Sequence, residues 1–167
     1  MHQTKTKLGE IKLVGICVRT SQLQEEDGDE QLILNCARRY FFEGLHNLIP
    51  HRKKPGVTIC AYTAYEPDHT GAYNYFIGEE VTELPTTSLP HRMIPLVIPP
   101  QEYVKFTTLP GPIKQQAEKA RQKIQAMTPA QLGGNRQYLV DFEVFDERAS
   151  SPDRAVMDLY VGIQTGV

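Results

Sequence analysis

The chain has 167 residues, 40% of them hydrophobic and 23% charged, with a formal net charge of −2. That length buries one good core or two small similar ones, in a composition ordinary for globular proteins. The charge balance excludes the basic excess that draws a protein onto nucleic acid, and no apolar run approaches the ~20 residues of a membrane span.

Glu10 to Thr20, rich in Ile, Leu and Val, reads as a strand. A polar stretch follows from Ser21 to Asp29, with Glu25-Glu26-Asp27-Gly28 as a solvated loop, and Asp29 with Glu30 suits the start of a helix. Ile33, Ala37, Phe41 and Leu48 recur near helical spacing, with Leu32, Cys36, Tyr40 and Leu45 widening the stripe until Pro50. Val57–Tyr65 and Ala72–Val81 flank a short turn and predict a hairpin. Leu84–Pro95 is a proline-rich linker. Leu96 to Thr108 gives two extended runs broken at Pro99-Pro100. Gly111-Pro112 opens a second helix with the stripe Ile113, Ala117, Ala120, Ile124, Met127. Thr128-Pro129-Ala130-Gln131 fits a capping box, and Gly133-Gly134 ends that turn. Tyr138–Glu147 and Ala155–Ile163 are the last two strands.

Each half is therefore strand, helix, strand, strand, and the halves rhyme. Ala61-Tyr62-Thr63-Ala64-Tyr65-Glu66 aligns with Asp141-Phe142-Glu143-Val144-Phe145-Asp146, and Tyr75-Phe76-Ile77-Gly78 with Leu159-Tyr160-Val161-Gly162. This predicts an α+β fold of tandem β-α-β-β repeats, about 8–83 and 93–167, in one domain over 1–167. Two such units packed about a pseudo-twofold axis leave a central groove between antiparallel sheets.

Glu143 stands out in the middle of the last hairpin, between aromatics. A carboxylate there shifts its pKa, pairs with an arginine such as Arg154, or meets a cation. Leu159, Val161 and Ile163 should meet a helix, and Phe142 and Val144 are expected to do the same. That leaves Glu143 and Phe145 on Tyr160's side. The expected groove holds Tyr65, Phe76, Phe145 and Tyr160 around Glu143, with Tyr40 at its rim; Phe41 and Phe42 read as core. Aromatic faces around one acid suit a lipophilic cation.

Cys17, Cys36 and Cys60 lie far apart, without a CxxC pair or metal-ligand spacing, so neither disulfides nor a metal or other cofactor is expected. The N-terminus, Met1-His2-Gln3-Thr4-Lys5, lacks a signal peptide's apolar core, which makes the cytoplasm the expected compartment. His51-Arg52-Lys53-Lys54, between Pro50 and Pro55, reads as solvated loop.

Leu13-Val14-Gly15-Ile16-Cys17-Val18-Arg19-Thr20, Tyr73 to Gly78 with Glu80-Val81, Ile98-Pro99 with Tyr103-Val104-Lys105-Phe106, Asp141 to Phe145 and Leu159-Tyr160 follow a family's order across nearly the whole chain. They resemble the gyrase-inhibitor-like effector-binding superfamily, above all the stand-alone integron-cassette effector-binding proteins. The resemblance implies a duplicated fold with a central groove, in which Glu143 matches the acidic residue that meets a lipophilic cation in multidrug-sensing members. The family often has Trp at a helix position occupied here by Tyr40. Both helices belong to the repeated unit, so no DNA-binding domain is expected.

The expected partner is a cationic aromatic or lipophilic small molecule, with no membrane or direct nucleic-acid contact; a homodimer or a separate regulator stays open. Two other functions stay open as well. One is hydrolysis of a reactive small molecule by the groove Glu, although His69 and His91 lie in loops and no GxSxG occurs. The other is protein interaction of the gyrase-inhibitor type, through the acidic stretch Gln24 to Glu30 and through Asp146-Glu147.

Overall fold

A computed structural model describes residues 1–26, 31–67 and 71–166. The expectations for Asp27, Gly28, Asp29, Glu30 and His69 fall outside these. The described residues form an α+β fold with one eight-stranded antiparallel sheet. Its strands are β1 (His2–Leu8), β2 (Ile11–Ser21), β3 (Thr58–Thr63), β4 (Ala72–Glu80), β5 (Ile94–Ile98), β6 (Gln101–Thr107), β7 (Asn135–Phe145) and β8 (Asp158–Gln164). They lie in the order β1-β6-β8-β7-β3-β4-β2-β5. The helices are α1 (Gln22–Glu26), α2 (Leu32–Phe42), α3 (Ile113–Gln125) and α4 (Pro129–Leu132). Among the described residues no helix is long and apolar enough to cross a membrane.

The outer strands exchange sides. β1 leads into β2 but pairs with β6, while β5 leads into β6 but pairs with β2. β1 was not expected from the sequence. Its His-Gln-Thr-Lys-Thr-Lys run is largely exposed, and polar edge strands with lysines resist further pairing. β2 and β4 meet closely at Gly15 and Gly78, which are paired in register. A Cβ on Gly15 would lie 2.0 Å from the Ile77 carbonyl oxygen, so the crossing admits only glycine there.

α1 occupies part of the polar stretch, and takes in Glu25 and Glu26, which were expected in a loop. Its Glu25 carboxylate accepts the Ile33 backbone N–H, so it satisfies a donor in the first turn of α2 that the helix itself leaves open. α2 buries Cys36 and Tyr40 against Val14, Ile16, Tyr75 and Ile77. Phe41 and Phe42, expected in the core, are 54% and 94% exposed; they lie outside the Cys36–Tyr40 stripe at the end of the helix. α3 follows Pro112 and buries Ala117, Ala120 and Ile124 on Val104, Phe106, Leu159, Val161 and Ile163. The Thr128–Gln131 capping box forms, and Gly133 closes α4 at φ 84°. The basic cluster meets acids of the β4 end: Lys53 lies 3.1 Å from Glu80 and His51 3.0 Å from Glu83.

A third core, with Leu13, Ile59, Ala61, Phe76, Ile98, Tyr103 and Phe142, fills the sheet face away from both helices. Here the expected facing of β7 is corrected. Phe142 pairs with Tyr160, and Glu143 pairs with Leu159. Leu159 does meet α3, so Glu143 lies on the helix side, while Phe142 shares the opposite face with Tyr160. The reason is a slip of one residue between the two hairpins. Ala61 pairs with Phe76, whereas the aligned Asp141 pairs with Val161 rather than Tyr160. A slip of one exchanges the faces of a whole strand.

Candidate ligand-binding site

On the helix side of the sheet, β3 and β7 run between α2 and α3. Alternation turns Cys60 and Tyr62 of β3, and Asp141, Glu143 and Phe145 of β7, toward the helices. Cys60 pairs with Glu143, and Tyr62 with Asp141. Tyr73 and Tyr75 of β4 continue the same face. The rings form a chain: Tyr75 to Tyr62 at 5.7 Å between centroids, Tyr62 to Tyr73 at 5.9 Å and Tyr73 to Tyr65 at 5.9 Å. Such tilted and edge-on contacts suit the ring quadrupole.

Tyr62, Tyr65 and Tyr73 wall a cavity of about 380 Å³ over Glu143. The Glu143 side chain is only 5% exposed. The Tyr62 hydroxyl donates to Oε1 at 3.1 Å, and Arg121 of α3 donates from Nε to Oε1 at 2.9 Å and from Nη2 to both oxygens at 2.7 and 2.9 Å. The Arg121 guanidinium also stands 6.0 Å from the centre of the Tyr62 ring. In the same hollow, Asp141 accepts from the Tyr65 hydroxyl at 2.9 Å, from Arg136 Nη2 and from the Gly162 N–H at 2.8 Å. An irregularity in β7 between Arg136 and Asp141, with Tyr138 at φ 52°, sets Arg136 beside that carboxylate.

Burial raises the Tyr62 phenol well above its ordinary range despite the opposing pull of Arg121. The Tyr73 phenol and the Cys60 thiol are each pushed up to about 12, chiefly by burial. The Glu143 charge in turn raises Arg121 above its ordinary value. At neutral pH the tyrosines are therefore neutral, and Arg121 keeps its positive charge.

The residues expected at the site divide. Glu143 and Tyr65 line this cavity, and Tyr160 reaches its edge. Phe145, two residues beyond Glu143, lines a second hollow of about 580 Å³ with Phe41, Cys60 and Tyr75. Phe76 is 1% exposed in the third core, on the other face of the sheet. Tyr40 is 0% exposed in the α2 core. The partner of Glu143 is Arg121, not Arg154. Arg121, Tyr62, Tyr73, Asp141 and Arg136 were not anticipated. A signal for Arg121 existed: it stands four residues after Ala117 and three before Ile124, beside the buried stripe of α3.

Comparisons with known proteins follow the same outline. The putative transcriptional regulator protein YobU of Bacillus subtilis (strain 168) is 26% identical over 161 residues, covering 95% of this chain and 96% of its own. The integron cassette protein VCH_CASS2 from the mobile metagenome of Vibrio cholerae has the same fold, with a TM-score of 0.74 at 19% identity over 97% of this chain and 95% of that one. SAV2435, solved bound to tetraphenylphosphonium, gives a TM-score of 0.74 at 14% identity over 98% and 94% of the two chains. Residues 6–163 match the family model for the integron-associated effector binding protein, Cass2. With that match spanning nearly its whole length, the chain belongs to the integron-associated effector-binding family.

Proposed function

We propose that the cavity walled by Tyr62, Tyr65 and Tyr73 binds a lipophilic cation and that Glu143 reads the ligand's charge. The observation that carries this reading is a buried carboxylate beneath tyrosine rings in an open hollow. Among the described lining residues, Glu26, Glu118, Asp141 and Glu143 outnumber Arg121 and Arg136, which favours a positive guest. Each ring face contributes ~0.5–2 kcal/mol toward a desolvated cation. Apolar contact adds ~25 cal/mol per Å² before ordering costs. The volume falls in the ~300–1,000 Å³ range of small-molecule sites. SAV2435, of the same fold, is bound to tetraphenylphosphonium, a cation of this class.

Tetraphenylphosphonium titrated into wild type and Glu143→Gln by calorimetry tests the reading. The variant keeps the side-chain volume and is expected to bind about tenfold more weakly or worse, as a lost charge pair implies. Equal affinities would remove Glu143 from the role.

A further inference from the structure

In this structure Glu143 already holds a cation. The Arg121 guanidinium makes three hydrogen bonds to it of 2.7–2.9 Å and rests over Tyr62, occupying the same carboxylate and ring that the cation-binding reading assigns to the guest. With Glu143 only 5% exposed and Oε1 already accepting from Tyr62 and Arg121, a guest cation competes with Arg121 for the carboxylate. The Arg121 side chain is 43% exposed, so it borders water and can swing outward without crossing the core. Glu118, three residues earlier on α3, also lines the hollow and is a neighbour for the displaced guanidinium.

We propose that Arg121 is the specificity-determining residue of this site, a tethered rival that a cationic ligand must displace from Glu143. The inference rests on the cation-binding reading. Ligand entry is then an exchange of one ion pair for another, and the two Coulomb energies largely cancel. Selection falls to what the guest gains and Arg121 does not, namely apolar contact with Tyr62, Tyr65 and Tyr73. A large aromatic cation has that surplus. A small hydrophilic cation lacks it and must compete with a bidentate fork held at high effective concentration. The carboxylate sets the sign of the ligand, and Arg121 sets its minimum greasiness.

Calorimetric titration of wild type, Arg121→Gln, Glu143→Gln and the double variant with tetraphenylphosphonium and with tetramethylammonium decides the matter, with the fold of each checked by circular dichroism. Arg121→Gln is expected to bind tetraphenylphosphonium about tenfold more tightly, as removal of a competing charge pair implies. It should also gain measurable tetramethylammonium binding, and the double variant should lose both gains. Arg121→Lys, which keeps the charge but not the fork, should shift in the same direction by less; it serves as the test if Arg121→Gln does not fold. Unchanged or weaker binding in the Arg121 variants, while Glu143→Gln still weakens wild-type affinity, overturns the rivalry and leaves cation binding standing. If wild type takes no tetraphenylphosphonium, both fall.

Discussion

Phe142 and Tyr160 stack ring on ring, centroids 4.5 Å apart and planes within 9°, on the sheet face away from α2 and α3. Because strand side chains alternate, anchoring Phe142 on that face turns its neighbours Asp141 and Glu143 toward the helices. The stack thus aims the acid into the cavity, and both of its residues also contribute to the cavity lining. Phe142→Ala is expected to cost about 3–5 kcal/mol in urea unfolding, as for a large aromatic removed from a packed core. Phe142→Leu should cost less and keep tetraphenylphosphonium affinity within about twofold, since the facing of β7 survives. A large affinity loss in a well-folded Phe142→Leu would contradict this aiming role.

Tyr40 is fully buried, and its hydroxyl has no hydrogen-bond partner among the described residues. Burial raises its phenol above the ordinary value, and Glu79 adds to the effect. Removing an unsatisfied buried hydroxyl is neutral or favourable. Tyr40→Phe should therefore show an unchanged or higher melting temperature and unaltered tetraphenylphosphonium affinity. A clear drop in affinity would bring Tyr40 to the ligand.

Arg148 bridges Asp146 at 2.8 Å and Asp158 at 2.6 Å. Hydrogen bonds from Arg148 hold Asp146 below the ordinary 3.8. For Asp158 burial pushes upward, but bonds from Arg148 and Thr107 outweigh it and the net shift is downward. A carboxylate with a depressed folded pKa contributes stability above its unfolded pKa and loses it as pH falls through the folded value. Arg148→Gln should then be less stable than wild type at pH 7, by about 1 kcal/mol or less because Arg148 is half exposed. Urea titrations should show that gap closing at pH values below 3.8, and a gap that persisted there would point to packing rather than charge.

Much of this architecture was legible in the sequence because local signals agreed with it. The Ala117, Ala120, Ile124 stripe, the Thr128 capping box and the apolar Leu159, Val161, Ile163 face all lie where their spacing places them. Glu143 was legible as a carboxylate in mid-strand, but its direction was not. Direction depends on register between strands, and the rhyme between the hairpins carries a slip of one that pairing alone reveals. Arg121 was hidden for another reason: a polar residue at the margin of an amphipathic helix reads as solvated unless the strand beneath is known to present an acid. β1 escaped because an edge strand has no need of apolar alternation, and its lysines resemble loop.

The crossing of β1 and β5 has a consequence for how the molecule comes apart. Each outermost ladder is supplied by chain that continues into the far side of the sheet, like two hands clasped by the little fingers. Peeling away His2–Leu8 bares β6, and peeling away Ile94–Ile98 bares β2. Fraying at either end therefore exposes backbone donors and acceptors of a strand distant in sequence. Pairings so distant in sequence slow folding.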